Sequence, residues 1–281
     1  MRRAPILASL PLLAALSCLL APAGGAATLE ERFDQTFPLP AGGRLQIANT
    51  NGTISIEAWD RDEARIEAGK EVKAATEELA RSTMSQLRIV ATPGPGGLRV
   101  ETRFPSVECG FFDWLFHRPV QTRVNYRLHV PRRLELAART ANGGVSLTGA
   151  RGKAVLETTN GTVAVAGFEG TLELETTNGN IEARHVAGAV RAETTNGGVD
   201  VELFRLDGDL SLASTNGGLT VRLPRDVRAT VDAGTTNGTV RTDLPVTAET
   251  TGSRHLRGTL NGGGPRLRLS TTNGGIRILA F

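Results

Sequence analysis

Apolar residues recur at every second position through most of this chain. Around Asn178, the residues two, four and six places earlier are Thr176, Leu174 and Leu172, and those three and five places later are Ile181 and Ala183. The same positions around Asn216 hold Ser214, Leu212, Leu210, Leu219 and Val221, and around Asn273 they hold Thr271, Leu269, Leu267, Ile276 and Ile278. Polar residues such as Glu173, Glu175, Arg268 and Arg277 fill the places between. A period of two predicts strands with one buried and one wetted face.

The alternation is punctuated by a repeated phrase. Asn-Gly occurs at Asn51, Asn142, Asn160, Asn178, Asn196, Asn216, Asn237, Asn261 and Asn273. From Asn142 to Asn196 each step is 18 residues (160 − 142, 178 − 160, 196 − 178). The steps then loosen to 20 and 21, and Asn237 to Asn273 is 36, twice 18. The sequence around them reads ETTNG from 157, 175 and 193, STNG from 214, and TTNG from 235 and 271. A fixed period of this length is the mark of a repeat architecture. Asn261 falls off the register, inside the Gly-rich stretch 261–264, and reads as a loop.

Two architectures use such strands. Asn-Gly between alternating runs is a strong hairpin signal, so an antiparallel meander or sandwich stays open. In a solenoid, each coil of about 18 residues lies on the next, about 4.8 Å away, and like residues stack. The solenoid explains the constancy of the phrase: Asn142, Asn160, Asn178, Asn196, Asn216, Asn237 and Asn273 would form an amide ladder. Glycine would supply a positive φ at each corner. The expected fold is therefore all-β, a right-handed β-solenoid with an irregular N-terminal cap region.

Residues 28–140 are less regular than the TTNG repeat of 141–281. Leu45 to Ile56 is one clean copy with Asn51-Gly52 at its corner. Glu63–Val72, Leu98–Phe104 and Arg123–Val130 read as strands, and Pro93–Gly97 as a turn. A short helix is expected near 76–87, opened by Thr76 with Glu77 and Glu78 in its first turn. Open solenoid ends expose strand edges, so a cap belongs in this half.

Residues 1–27 have the layout of a secretory signal peptide. Arg2 and Arg3 precede the apolar stretch Ile6–Leu20, and small residues follow. Cys18 as a lipidated residue is the competing reading, weakened because the leucine of Ala15-Leu16-Ser17 sits one place too late. After the leader no segment approaches the length of a membrane span. The product is expected to be exported, to the periplasm, the cell surface or the medium. Its remaining Cys109 has no internal partner, so packing and hydrogen bonds must supply stability. Leader removal takes Lys+Arg from 32 to 30 against 29 acidic residues, with no basic stripe, which argues against nucleic-acid binding.

The phrases NTNGTISIEAWDRDEARIEA at 49–68 and VNYRLHVPRRLELAARTANGGVSLTG at 124–149, followed by the TTNG coils, resemble the bacterial β-strand-repeat family of unknown function labelled "putative adhesin". The resemblance runs over about residues 40–281. It implies a β-solenoid of the cell envelope and no catalytic residues.

The chain offers little for chemistry. Glu157, Glu175 and Glu193 would stack at one outward position, as a solvated charge ladder rather than an acid/base pair. His117, His129, His185 and His255 have no zinc spacing, so no metal, cofactor or catalytic residue is expected. The sequons at Asn51, Asn160 and Asn237 are by-products of the repeat. One anomaly is the segment 107–119, where Phe111, Phe112, Trp114 and Phe116 fall within six residues of a chain that is 4% aromatic. It is either a partner-binding anchor or a cover for the solenoid flank or end. The functional expectation is a non-enzymatic, adhesin-like or structural surface for an envelope polymer or protein. A periplasmic scaffold or stress-response partner is the first alternative, and a polysaccharide lyase or hydrolase the second.

Overall fold

The computed structural model describes residues 27–104 and 120–281, and the strands found there join into one hydrogen-bonded network. The leader with Cys18, and the segment 107–119 with Cys109, Phe111, Phe112, Trp114, Phe116 and His117, lie outside the described residues. The N-terminal elements are β1 (Ala27–Pro38), β2 (Arg44–Ala48), β3 (Ile54–Trp59), β4 (Glu63–Ala74), α1 (Glu77–Gln86), β5 (Arg88–Gly94), β6 (Gly97–Arg103) and β7 (Gln121–Pro131). The central ones are β8 (Arg133–Asn142), β9 (Val145–Thr148), β10 (Arg151–Asn160), β11 (Val163–Asn178), β12 (Ile181–Asn196), β13 (Val199–Arg205), β14 (Leu210–Asn216) and β15 (Leu219–Leu223). The C-terminal ones are β16 (Ala229–Asn237), β17 (Val240–Thr242), β18 (Val246–Thr251), β19 (His255–Leu260), β20 (Arg266–Asn273) and β21 (Ile276–Ala280).

The central strands pair in parallel with matched repeat positions, which decides for the solenoid against the meander. Leu136, Ala154, Leu172, Val190 and Leu210 lie in one file, and Val145, Val163, Ile181, Val199 and Leu219 in another. Every one of these side chains is buried. Each coil thus has a longer strand, an Asn-Gly corner and a shorter strand, with the alternating apolar residues of both filling the interior. β11 and β12 run through the second corner, ending one coil and starting the next.

At both ends the stacking order departs from the chain order. β20 and β21 sit between β14/β15 and β16/β17, although they come last in the chain. At the other end β2 and β3 sit between β6/β7 and β8/β9. In each case the chain's outermost coil lies inside, flanked by two coils that follow or precede it. The expectation that each coil lies on the next therefore holds only for the body. The remaining strands turn antiparallel and cover outer edges: β5 on β6, β4 on β7 with β1 beyond it, and β19 on β16 with β18 beyond it. A covered edge no longer templates further parallel coils.

The helix forms as its sequence requires. Thr76 is extended, and its hydroxyl accepts the Leu79 N–H at 3.2 Å. Ala80, Thr83 and Met84 are buried, and the helix packs on β1 and β4, closing the core at the N-terminal end. Among the described residues no helix is long and apolar enough to cross a membrane.

Candidate functional site

The repeated asparagines form one continuous ladder. Each Nδ2 donates to the Oδ1 of its neighbour: Asn142 to Asn51, Asn160 to Asn142, Asn178 to Asn160, Asn196 to Asn178 and Asn216 to Asn196, at 2.8–2.9 Å. The order then follows space rather than sequence: Asn273 donates to Asn216 and Asn237 to Asn273, both at 2.8 Å. The 36-residue step from Asn237 to Asn273 thus does not hold a missing coil. It is filled by the β18–β19 hairpin, and the two asparagines are direct neighbours. Asn261 is a loop residue at φ 47°, its amide donating to the carbonyl of Val227 at 2.8 Å.

The residue two before each asparagine carries a second ladder, which the alternation alone did not reveal. The hydroxyl of Thr158 donates to the Gly143 carbonyl of the adjoining coil at 2.8 Å, Thr176 to Gly161 at 3.0 Å, Thr194 to Gly179 at 3.1 Å and Ser214 to Gly197 at 3.0 Å. Thr140, Thr271 and Thr235 do the same with Gly52, Gly217 and Gly274. These hydroxyls are buried, and an unpaired polar group there would cost about 1–3 kcal/mol. That explains why Ser is the one substitute in the series.

The positive φ expected of the glycine after each asparagine is found at Gly52, Gly143 and Gly197, but it is not the reason common to the series. At Gly161, Gly179, Gly217, Gly238 and Gly274, φ lies outside the left-handed region, so a positive φ is not what selects glycine. A Cβ at Gly179 would instead lie 1.9 Å from the Gly161 carbonyl oxygen, and one at Gly217 1.8 Å from that of Gly197. Neighbouring coils approach so closely that no side chain fits between them.

Next to the buried hydroxyls, Thr159, Thr177, Thr195, Thr215, Thr272 and Thr236 project outward and are exposed. The pairings on either side place them in one file, with neighbours one coil apart, about 4.8 Å. Beside this file run the exposed Asn amides. The two rows form a flat strip of hydroxyls, methyls and amides repeating with the coil.

The charged positions are spread over the other rows. Glu157, Glu175 and Glu193 do stack, and Arg139 reaches Glu157 at 2.9 Å while Arg191 reaches Glu193 at 2.6 Å. On the opposite face Asp200, which shares no repeat position with the other aspartates, lies between Arg184 and Arg222. His129 stacks on Trp59 at 5.3 Å and His185 on Phe204 at 4.4 Å. Among the described residues no three His, Cys, Asp or Glu side chains gather where they could hold a metal ion. Burial pushes the Tyr126 phenol up to about 12, against a hydrogen bond with Thr102 at 2.6 Å that lowers it. The Arg65 guanidinium holds the Asp34 carboxyl below its usual range, and Arg132 does so for Asp60. The hollows are shallow; one of about 690 Å³ runs over Gly152, Gly170 and Gly188, whose stacking excludes side chains.

Residues 132–279 match the family model described as Toastrack DUF4097. No curated protein matches the chain. Among solved structures, the chain is similar to a putative cell adhesion protein from Clostridium sporogenes (12% identity, TM-score 0.35, 89% of this chain and 100% of that one). It is also similar to a putative adhesin from Bacteroides fragilis (11%, 0.38, 89% and 97%). A putative lipid binding protein from Parabacteroides distasonis gives 10%, 0.39, 89% and 96%.

Proposed function

The chain belongs to the Toastrack DUF4097 family, and on that footing we propose that it is an exported, non-enzymatic repeat protein of the cell envelope that binds an extended polymer or surface along its threonine–asparagine strip. The observation that carries this reading is the file of Thr159, Thr177, Thr195, Thr215, Thr272 and Thr236 beside the amide ladder. A rigid strip repeating about every 4.8 Å offers the same weak contact many times. Each contact is minor alone, but engagement of several in register multiplies affinity through effective concentration. The segment with Phe111, Phe112, Trp114 and Phe116 is proposed as an accessory anchor for the same partner.

The address is tested by protease shaving of intact cells, with an epitope tag inserted at Gly262–Gly264 and a periplasmic control protein. The proposed surface role requires loss of the tag while the control survives. Protection until the outer barrier is opened sinks it in favour of a periplasmic scaffold. The strip is tested by sedimentation with insoluble envelope polysaccharide. Replacing Thr177, Thr195 and Thr215 together by glutamate should abolish co-sedimentation with the melting transition kept. Unchanged co-sedimentation by the folded variant overturns the strip as the binding surface.

A further inference from the structure

The outermost strand at the N-terminal end, β1, is twelve residues long and among the described residues pairs with β4 alone. Its other edge therefore presents a row of backbone N–H and C=O groups, the usual template for one more strand. Its side chains alternate. Thr28, Glu30, Arg32, Asp34, Thr36 and Pro38 are exposed on one face, and Ala27, Leu29, Glu31, Phe33, Gln35 and Phe37 are half-buried on the other.

Written against its own reverse about Phe33, this strand is complementary to itself. In an antiparallel pair with Phe33 opposite Phe33, Arg32 of each copy faces Asp34 of the other, and Leu29 faces Phe37. Glu31 faces Gln35 and Glu30 faces Thr36, so no like charges meet. The neighbouring registers that keep each face on its own side fail. Centred on Arg32, the pairing sets Arg32 against Arg32 and Glu30 against Asp34. Centred on Asp34, it sets Asp34 against Asp34 and Phe37 against Glu31. A shift by one residue would exchange the two faces. Directly opposed unlike charges and aromatic pairs stabilise a sheet, and like charges destabilise it. Of these three registers, the one centred on Phe33 alone avoids opposed like charges and sets Arg32 against Asp34.

We propose that β1 is a homodimerisation edge, through which two copies join head to head into one continuous sheet about a two-fold axis at Phe33. The occupant is a second copy of this chain, selected by the charge pattern. Asp34 is bound by Arg65 of β4 at 3.0 and 2.7 Å, an ion pair that keeps its carboxylate charged. Arg32 is exposed and makes no ion pair among the described residues, leaving it available to the other copy. Because the contact is isologous it closes on itself, giving a dimer and not a filament. The inference is independent of which ligand the threonine strip takes.

Sedimentation of the full chain at tens of micromolar should show a dimer. Arg32→Asp and Asp34→Arg should each raise the dissociation constant tenfold or more, because each sets like charges opposite one another. Mixed in equal amounts, the two variants should recover the dimer, since Asp at 32 in one copy then meets Arg at 34 in the other. Circular dichroism of each variant checks that it is folded. A second readout uses a Cys109→Ser background: Phe33→Cys should crosslink two copies on oxidation, whereas Gln35→Cys, far from its own mate in this register, should not. A monomeric full chain, folded single variants that still dimerise, or a mixture that stays monomeric would each overturn the proposal.

Discussion

Thr176 and Thr177 are adjacent and chemically identical, yet they do unrelated work. Thr176 is buried and donates to the Gly161 carbonyl, while Thr177 is exposed in the outward file. Thr176→Val keeps the shape and removes the hydroxyl, leaving that carbonyl short of a donor. It should cost about 1–2 kcal/mol in denaturant unfolding, while Thr177→Val stays within about 0.5 kcal/mol. Equal losses at the two sites would show that the hydroxyl ladder contributes nothing. Glycines divide in the same way. Gly179→Ala places a methyl 1.9 Å from the Gly161 oxygen and should destabilise by about 3 kcal/mol or prevent folding, whereas Gly69 sits mid-strand with nothing within 4 Å of a Cβ. Gly69→Ala should be neutral or raise the melting temperature slightly, because it narrows the unfolded ensemble. The sequence shows that a glycine follows every ladder asparagine, but not why. Close approach is a relation between coils and has no signature along a single strand.

At the scale of the element, legibility follows the range of the forces involved. Strand alternation, the helix behind Thr76 and the Asn-Gly corners depend on residues within a few places of one another, and each is found where its pattern lies. Asn51, 91 residues from Asn142 in the chain, was recognisable as a copy because it carries the same local phrase. What the chain could not disclose is which equal strand lies beside which. Leu210, Leu267 and Val231 are interchangeable as inward residues, so the order β14, β20, β16 cannot be deduced from pattern. The same holds for charge. Asp200 meets Arg184 and Arg222 across two strand pairings, although the aspartates share no repeat position. Lys70 is a lysine on an apolar face, tolerated because Glu31 of β1 reaches it at 3.2 Å.

The interleaved C-terminal end sets a condition on the whole molecule. The coil of β20 and β21 occupies a slot between two coils that are consecutive in the chain and share its register. Asn216 and Asn237 both bond Asn273, and Leu212 and Ala233 both pair with Leu269. The walls of the slot are thus complementary to each other as well as to the coil between them. Removal of residues 265–281 should let β16 close directly onto β14, so that the solenoid shortens by one coil and the amide ladder remains unbroken. Exposed threonines report which arrangement is present. With the coil in place, Thr215 and Thr236 are two strand spacings apart, about 9–10 Å, beyond the reach of a disulfide. After closure they are one spacing apart, about 4.8 Å, within reach. In a Cys109→Ser background, Thr215→Cys with Thr272→Cys should therefore oxidise in the full chain, and Thr215→Cys with Thr236→Cys should not. The second pair should oxidise once 265–281 are deleted. If it stays reduced in a truncated protein that still unfolds cooperatively, the slot has remained open and the terminal coil is needed to hold β16 in the stack. If the truncated chain loses its cooperative transition, the coil is the keystone of that end rather than a removable layer.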